Sequence, residues 1–150
     1  MLNETIEAIN INIKRAKADS EEITSWNNLI PEIFENNEKR RTVDSFIFRF
    51  TKIQDLIGEK LFKEILDKVG EYRRNMSFTE ILDRAEKLEI IGSADKWINF
   101  RELRNSLSHE YPSNEAELIK DIKLALDYFA EILCVYENIT KYIKSKKLLN

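Results

Sequence analysis

LIKDIKLALDYFAEILCVYENITKYI, from Leu118 to Ile143, is the stretch whose reading decides the fold. Leu118, Ile122, Ala125, Phe129, Ile132, Tyr136, Ile139 and Ile143 recur at alternating steps of four and three. That spacing puts them on one stripe of a single long helix, the pattern of a bundle seam. Ser113 or Asn114 can cap its start, where Glu115 and Glu117 suit the positive end of the helix dipole. Lys141, Lys144, Lys146 and Lys147 suit the negative end.

Upstream, the same periodicity continues. A second long helix is predicted from about Glu38 toward Ile57, with Val43, Phe46, Phe50, Ile53 and Ile57 as its buried stripe. Gly58 is a place for a kink or an end. Leu61, Phe62, Ile65, Leu66 and Val69 carry the pattern on to Gly70, a C-terminal stop. Ser77-Phe78-Thr79-Glu80 reads as a capping box that opens a helix through Ile81, Leu82, Ala85 and Leu88, closed by Gly92. Ser93 then caps a helix bearing Trp97, Phe100, Leu103 and Leu107, and Pro112 forbids its continuation. In the first 36 residues, Ile6, Ile13, Ile23, Trp26, Ile30 and Phe34 suggest one or two helices. A break is expected near Ala18-Asp19-Ser20, and a kink or late start at Pro31. With no strand pattern and no repeat, the expectation is an all-α, up-and-down bundle of about five or six helices in one domain spanning 1–150.

Composition narrows the function. A chain of 150 residues with 43% hydrophobic and 34% charged residues, three Gly and two Pro is that of a helix-rich globular protein. No stretch approaches the roughly 20 apolar residues of a membrane span, and Met1-Leu2-Asn3-Glu4 lacks the opening of a signal peptide. The expectation is a cytoplasmic protein with no membrane partner. Cys134, the single cysteine, lies on an apolar helix pattern and is expected to be a small buried hydrophobe. One His and one Cys give no basis for a His/Cys metal site, so neither metal nor cofactor is expected. The net charge of −3 gives no general attraction for nucleic acid, and DNA is not an expected partner. RNA binding would need a local basic patch, for which Lys39-Arg40-Arg41, Arg73-Arg74 and the pair Arg101 and Arg104 are the candidates.

The segment able to do chemistry is Arg104-Asn105-Ser106-Leu107-Ser108-His109-Glu110-Tyr111. On a wheel of 100° per residue, Phe100, Leu103 and Leu107 share the buried wedge. Arg101, Arg104, Asn105, Ser108 and His109 gather on another face. A lone His at a helix C-terminus is commonly no more than a partner for the helix dipole, and spacing alone favours that plain reading. Ser106 and Ser108 lack the glycine elbow and oxyanion-hole signals of a hydrolase nucleophile.

Arg104, four residues, His109, one residue and Tyr111 resemble the Arg-x4-His-x-Tyr signature of HepT-type toxins of the HEPN superfamily, and Asn105 after the Arg matches the usual form. Phe46 to Gly58 resembles the long-helix segment of members paired with small nucleotidyltransferases, as does Ser93-Ala94-Asp95-Lys96-Trp97. The likeness runs from roughly Glu38 to the end. It implies a metal-independent endoribonuclease toxin, with His109 as acid or base, Arg104 on the phosphate, and Asn105 orienting either. Arg101 and Ser108 would support them. One His per chain is too few for in-line cleavage, so a homodimer would bring two copies of His109 and Arg104 into one cleft. Trp97 and Ile98, expected near that face, would serve the dimer interface or stack on a base. In the resembling toxins a partner nucleotidyltransferase silences the protein by transferring AMP to the Tyr, here Tyr111. The alternative is a non-catalytic nucleotide-binding or substrate-binding subunit of a two-protein nucleotidyltransferase, using the same residues.

Overall fold

Helix α1 (Leu2–Ser25) leads through a 3₁₀ turn, Pro31–Glu35, to α2 (Asn37–Asp55). A π-helical turn, Leu56–Leu61, joins α2 without interruption to α3 (Phe62–Lys68). Then come α4 (Phe78–Lys87), α5 (Ala94–Leu107) and α6 (Glu115–Ser145). The structure is a computed structural model and describes residues 1–109 and 114–149, among which there is no strand. It is an all-α bundle, as the periodicity predicts.

Side chains cap the helix starts, at the three places the sequence indicated and at one it did not, Asn36 ahead of α2. Asn36 accepts from the Lys39 N–H and Asn114 from the Glu117 N–H. Ser77 and Glu80 form both halves of the capping box, and Ser93 accepts from the Lys96 N–H. Each such cap contributes about 1 kcal/mol by meeting a backbone donor that the helix leaves open.

The α2 rod lies between its neighbours, packing on α1, α5 and α6. Val43, Phe46, Phe50, Ile53 and Ile57 are all buried. Phe46 meets Phe129 of α6 edge-on, with ring centres 5.8 Å apart. Trp97 of α5 stands edge-to-face between Phe62 and Phe100, at 5.3 and 5.7 Å. This aromatic chain ties α3, α5 and α6 together, because Phe100 in turn meets Tyr128 at 5.0 Å. Among the described residues no helix is long and apolar enough to cross a membrane.

Several local expectations are corrected. Helix α1 runs unbroken through Ala18-Asp19-Ser20. Asp19 is held there by the Ser45 hydroxyl of α2 at 2.5 Å, and Ser20 returns its hydroxyl to the Lys17 carbonyl at 2.9 Å. The polar residues thus satisfy themselves within the helix and across to α2. The buried stripe of α1 runs through Ile9, Ile13, Ala16 and Ile23, with Ile6 only partly covered. On α6, Ile119 is buried in place of Leu118. Helix α4 stops at Lys87, ahead of Gly92, because Glu89 takes a left-handed φ of 61° and the Ile90 N–H turns back to the Ala85 carbonyl. That turn buries Ile90 and Ile91. Gly70 does end its helix, at φ 76°. Cys134 is exposed, since Ile132 and Tyr136 on either side take the inward face of α6.

Candidate functional site

Because Trp97, Phe100, Leu103 and Leu107 point α5 into the core, its other face carries Arg101, Arg104 and Asn105 past the junction of α2 and the π turn. Arg104 meets Asp55 there, the last residue of α2. Its Nε donates to Oδ1 at 2.9 Å and its Nη2 to Oδ2 at 2.8 Å, a two-pronged pair. The side chains are 25% and 32% exposed. The Arg104 pKa is raised, first by the hydrogen bond to Asp55, with the charges of Asp55 and Glu59 adding and burial opposing. An arginine has five N–H groups, so three remain to Arg104 for another acceptor.

Around this pair lies a cavity of about 140 Å³, lined by Gln54, Asp55, Gly58, Glu59, Phe78, Trp97, Arg101, Arg104 and Asn105. Arg101 lies flat over Phe78, its guanidinium carbon 3.9 Å from the ring centre. Gln54 is 4% exposed and its Nε2 has no hydrogen-bond partner. Leaving a buried donor unmet costs about 1–3 kcal/mol. Gly58 sits under the cavity: a Cβ there would come within 3.3 Å of Trp97 Nε1 and 3.6 Å of the Phe78 ring.

His109 follows the end of α5 and is exposed, its backbone N–H donating to the Ser106 carbonyl at 3.2 Å. Ser108 closes the helix, donating its hydroxyl to the Asn105 carbonyl at 2.7 Å. The cavity wall thus gathers Arg101, Arg104 and Asn105, while His109 and Ser108 stand at the helix end outside that lining. Tyr111 lies outside the described residues.

Two expectations about surroundings fail. Trp97 is 2% exposed, so it offers no surface to a second chain or to a stacked base from outside, whereas Ile98, half-buried, keeps part of its surface in solvent. Nor do Arg101 and Arg104 make a basic patch, since Asp55 and Glu59 line the same cavity and balance them. Lys39 and Arg40 lie over Trp26 and Phe34 at the other end of α2, roughly 24 Å along the axis from Asp55 at 1.5 Å per residue. Arg73 faces Glu80 at 3.7 Å.

Asp55, Gln54, Glu59 and Phe78 were not singled out from sequence. One signal was available: Gln54 and Asp55 interrupt an apolar run between Ile53 and Leu56. Among the described residues no group of three or more His, Cys, Asp or Glu is placed to hold a metal. A larger groove of about 500 Å³ between α1 and α6 includes Tyr136 but no residue of the Arg104 to His109 segment.

No protein-family model and no solved structure matches the chain. Over 94 residues it is 26% identical to a protein of Haemophilus influenzae described as "Probable ribonuclease HepT". The match covers 61% of this chain and 62% of that protein, so the chain spans less than two thirds of the relative's length. That is a similarity to a protein described as HepT.

Proposed function

We propose that this chain is a metal-independent endoribonuclease toxin of a toxin–antitoxin pair, acting as a homodimer in the cytoplasm. The observation that carries the reading is Arg104: fixed by Asp55, it keeps three N–H groups available five residues before the exposed His109. The similarity to a protein described as a probable ribonuclease supports it. In the proposed reaction the RNA 2′-hydroxyl attacks the adjacent phosphorus and loses its proton to one His109. The bond from phosphorus to the 5′-oxygen breaks, and the leaving oxygen takes a proton from the His109 of a second copy. Arg104 holds the phosphate oxygens as negative charge builds on them. Asp55 keeps the guanidinium plane in one orientation, so less freedom is lost when phosphate binds. Asn105, exposed on the same turn, orients the phosphate or the imidazole. Silencing by a small nucleotidyltransferase through AMP on Tyr111 belongs to the same proposal: the added phosphate would compete for Arg104.

The test is incubation of the purified chain with RNA in chelator. Cleavage is expected, falling about 10²–10⁴-fold in His109→Ala and falling likewise in Arg104→Ala. Cleavage that survives both substitutions, or that needs added metal, refutes the reading. A second reading, a non-catalytic nucleotide-binding subunit, is favoured by one observation. Asp55 already neutralises Arg104 in the absence of ligand, which suits holding better than turnover. Phosphate binding that depends on Arg104, with no RNA cleavage by the wild-type chain, would select it.

A further inference from the structure

We infer that the cavity beside Arg104 is a base-recognition subsite, taking one nucleobase whose Watson–Crick edge carries an exocyclic amino group next to a ring nitrogen acceptor: adenine or cytosine. Its role as part of RNA cleavage rests on the ribonuclease reading; its capacity to bind a base does not.

The first observation is the unmet donor. Gln54 is on the buried stripe of the α2 rod, yet its Nε2 has no partner and the residue lines the cavity. Native proteins seldom leave such a donor open, and one on a residue that lines a cavity can be met by a ligand acceptor once the side chain turns toward it. The second is the space. At about 140 Å³ the cavity is well below the roughly 300–1,000 Å³ of a site for a drug-sized ligand. It suits one planar ring system, and Gly58 keeps it open, since a Cβ there would crowd Trp97 and Phe78. The third is the wall. Arg101 lies flat on Phe78, and bases of single-stranded RNA stack on guanidinium planes and aromatic rings alike. Gln54, Asp55, Gly58 and Glu59 share one wall where α2 runs into the π-helical turn, a distortion that often accompanies functional sites.

The polar groups choose the base. Nε2 of Gln54 needs an acceptor. The two carboxylates, Asp55 and Glu59, accept only, so they favour an amino group and repel a carbonyl oxygen. Adenine and cytosine present that pair side by side: the amino group with a ring nitrogen next to it. Uracil offers a carbonyl oxygen where cytosine has its amino group; guanine offers one where adenine has its own, and on the Watson–Crick edge the ring nitrogen beside its 2-amino group is a donor. Arg104 forms the rim, so a base seated in the cavity would leave its own phosphate against the three spare N–H groups.

The experiment has two arms. In the first, adenosine, cytidine, uridine and guanosine are titrated into the full chain, and the indole N–H signal of Trp97 is followed by NMR, with Trp26→Phe to assign it. Adenosine or cytidine should shift that signal while uridine and guanosine do not, and Gln54→Leu should abolish the shift. In the second arm, RNAs varied at the nucleotides flanking the cut are cleaved by wild-type and Gln54→Leu protein. The preference for adenine or cytosine over the other two should be roughly tenfold to a hundredfold, and should shrink toward unity in the variant. Equal shifts from all four nucleosides, or none, overturn the subsite whether or not RNA is cut. If the selective shift appears but RNA stays intact, the subsite stands and the ribonuclease reading falls. If RNA is cut without base preference and Trp97 does not respond, the ribonuclease stands and the subsite falls. The base selectivity of the first arm is read on the wild-type chain, so misfolding of Gln54→Leu does not shelter the inference.

Discussion

Removing the charge of Asp55 should uncouple α2 from the end of α5. The pair consists of two charge-assisted hydrogen bonds, at 2.9 and 2.8 Å. A hydrogen bond to a charged group contributes a net of about 1.5–3 kcal/mol where water is excluded. Here both side chains keep a quarter to a third of their surface in solvent, 25% and 32%. Screening pulls the value toward the range of exposed pairs, below about 1 kcal/mol. Together these bracket a coupling of about 1–2 kcal/mol. For a chain of this length each kcal/mol moves the melting temperature about 2–4 °C, so Asp55→Asn should melt roughly 2–8 °C lower. Urea unfolding of the wild type, Asp55→Asn, Arg104→Gln and the double variant closes a thermodynamic cycle that isolates the pair. The coupling should shrink in high salt. It should not change with pH across the neutral range from the arginine side. The raised pKa of Arg104 means its contribution is complete below the unfolded value and is lost only as pH rises through the still higher folded one. A cycle coupling below about 0.3 kcal/mol would refute the claim that Asp55 orients Arg104.

Four further outcomes are expected. Tyr136, its hydroxyl donating to Asn10 at 2.8 Å, has its pKa pushed by burial from 10.0 up to about 12. The folded state therefore holds the proton longer, and stability present below pH 10 should drain away as pH rises toward 12. Tyr136→Phe should lose about 1 kcal/mol at neutral pH and flatten that alkaline decline, as followed by circular dichroism. Gly58→Ala should destabilise by about 1 kcal/mol, because Trp97 is wedged between Phe62 and Phe100 and cannot give way; a melting temperature at or above wild type would contradict this. Trp97→Ala should cost about 3–5 kcal/mol as a core truncation, whereas Cys134→Ser, on the exposed face of α6, should change stability by less than about 0.5 kcal/mol.

What could be read from the sequence was whatever repeats. The α6 seam from Ile122 on, the α2 stripe and the caps at Ser77 and Ser93 depend on local spacing and backbone donors, and they appear as expected. The break at Ala18-Asp19-Ser20 fails because Ser45 is 26 positions away from Asp19 and local propensity carries no trace of it. Trp97 was assigned to the surface although it belongs to the same wedge family as Phe100. Its neighbour Phe62 comes from a different rod, and only packing reveals that ring. The candidate site divides the same way. Arg104 and His109 are visible as a motif on one short segment. Asp55 lies 49 positions from Arg104, and the pairing is a property of how two helices cross.

The π-helical turn at Leu56–Leu61 makes the α2–α3 rod a shaft with a fixed phase slip. A π turn pairs each residue with the fifth along, where the α-helix uses the fourth, so it holds one extra residue. The two halves of the rod therefore keep separate angular settings: one aims Phe46, Phe50 and Ile53 at the core, the other aims Phe62, Ile65 and Leu66. If the same residues wound instead as a plain α-helix, the extra residue would have to be taken up as rotation. Everything upstream would then turn about 100° relative to everything downstream. Either the core of one half would unseat or Asp55 would swing away from Arg104. The alignment of the site is thus stored in how one turn is wound as much as in a side chain.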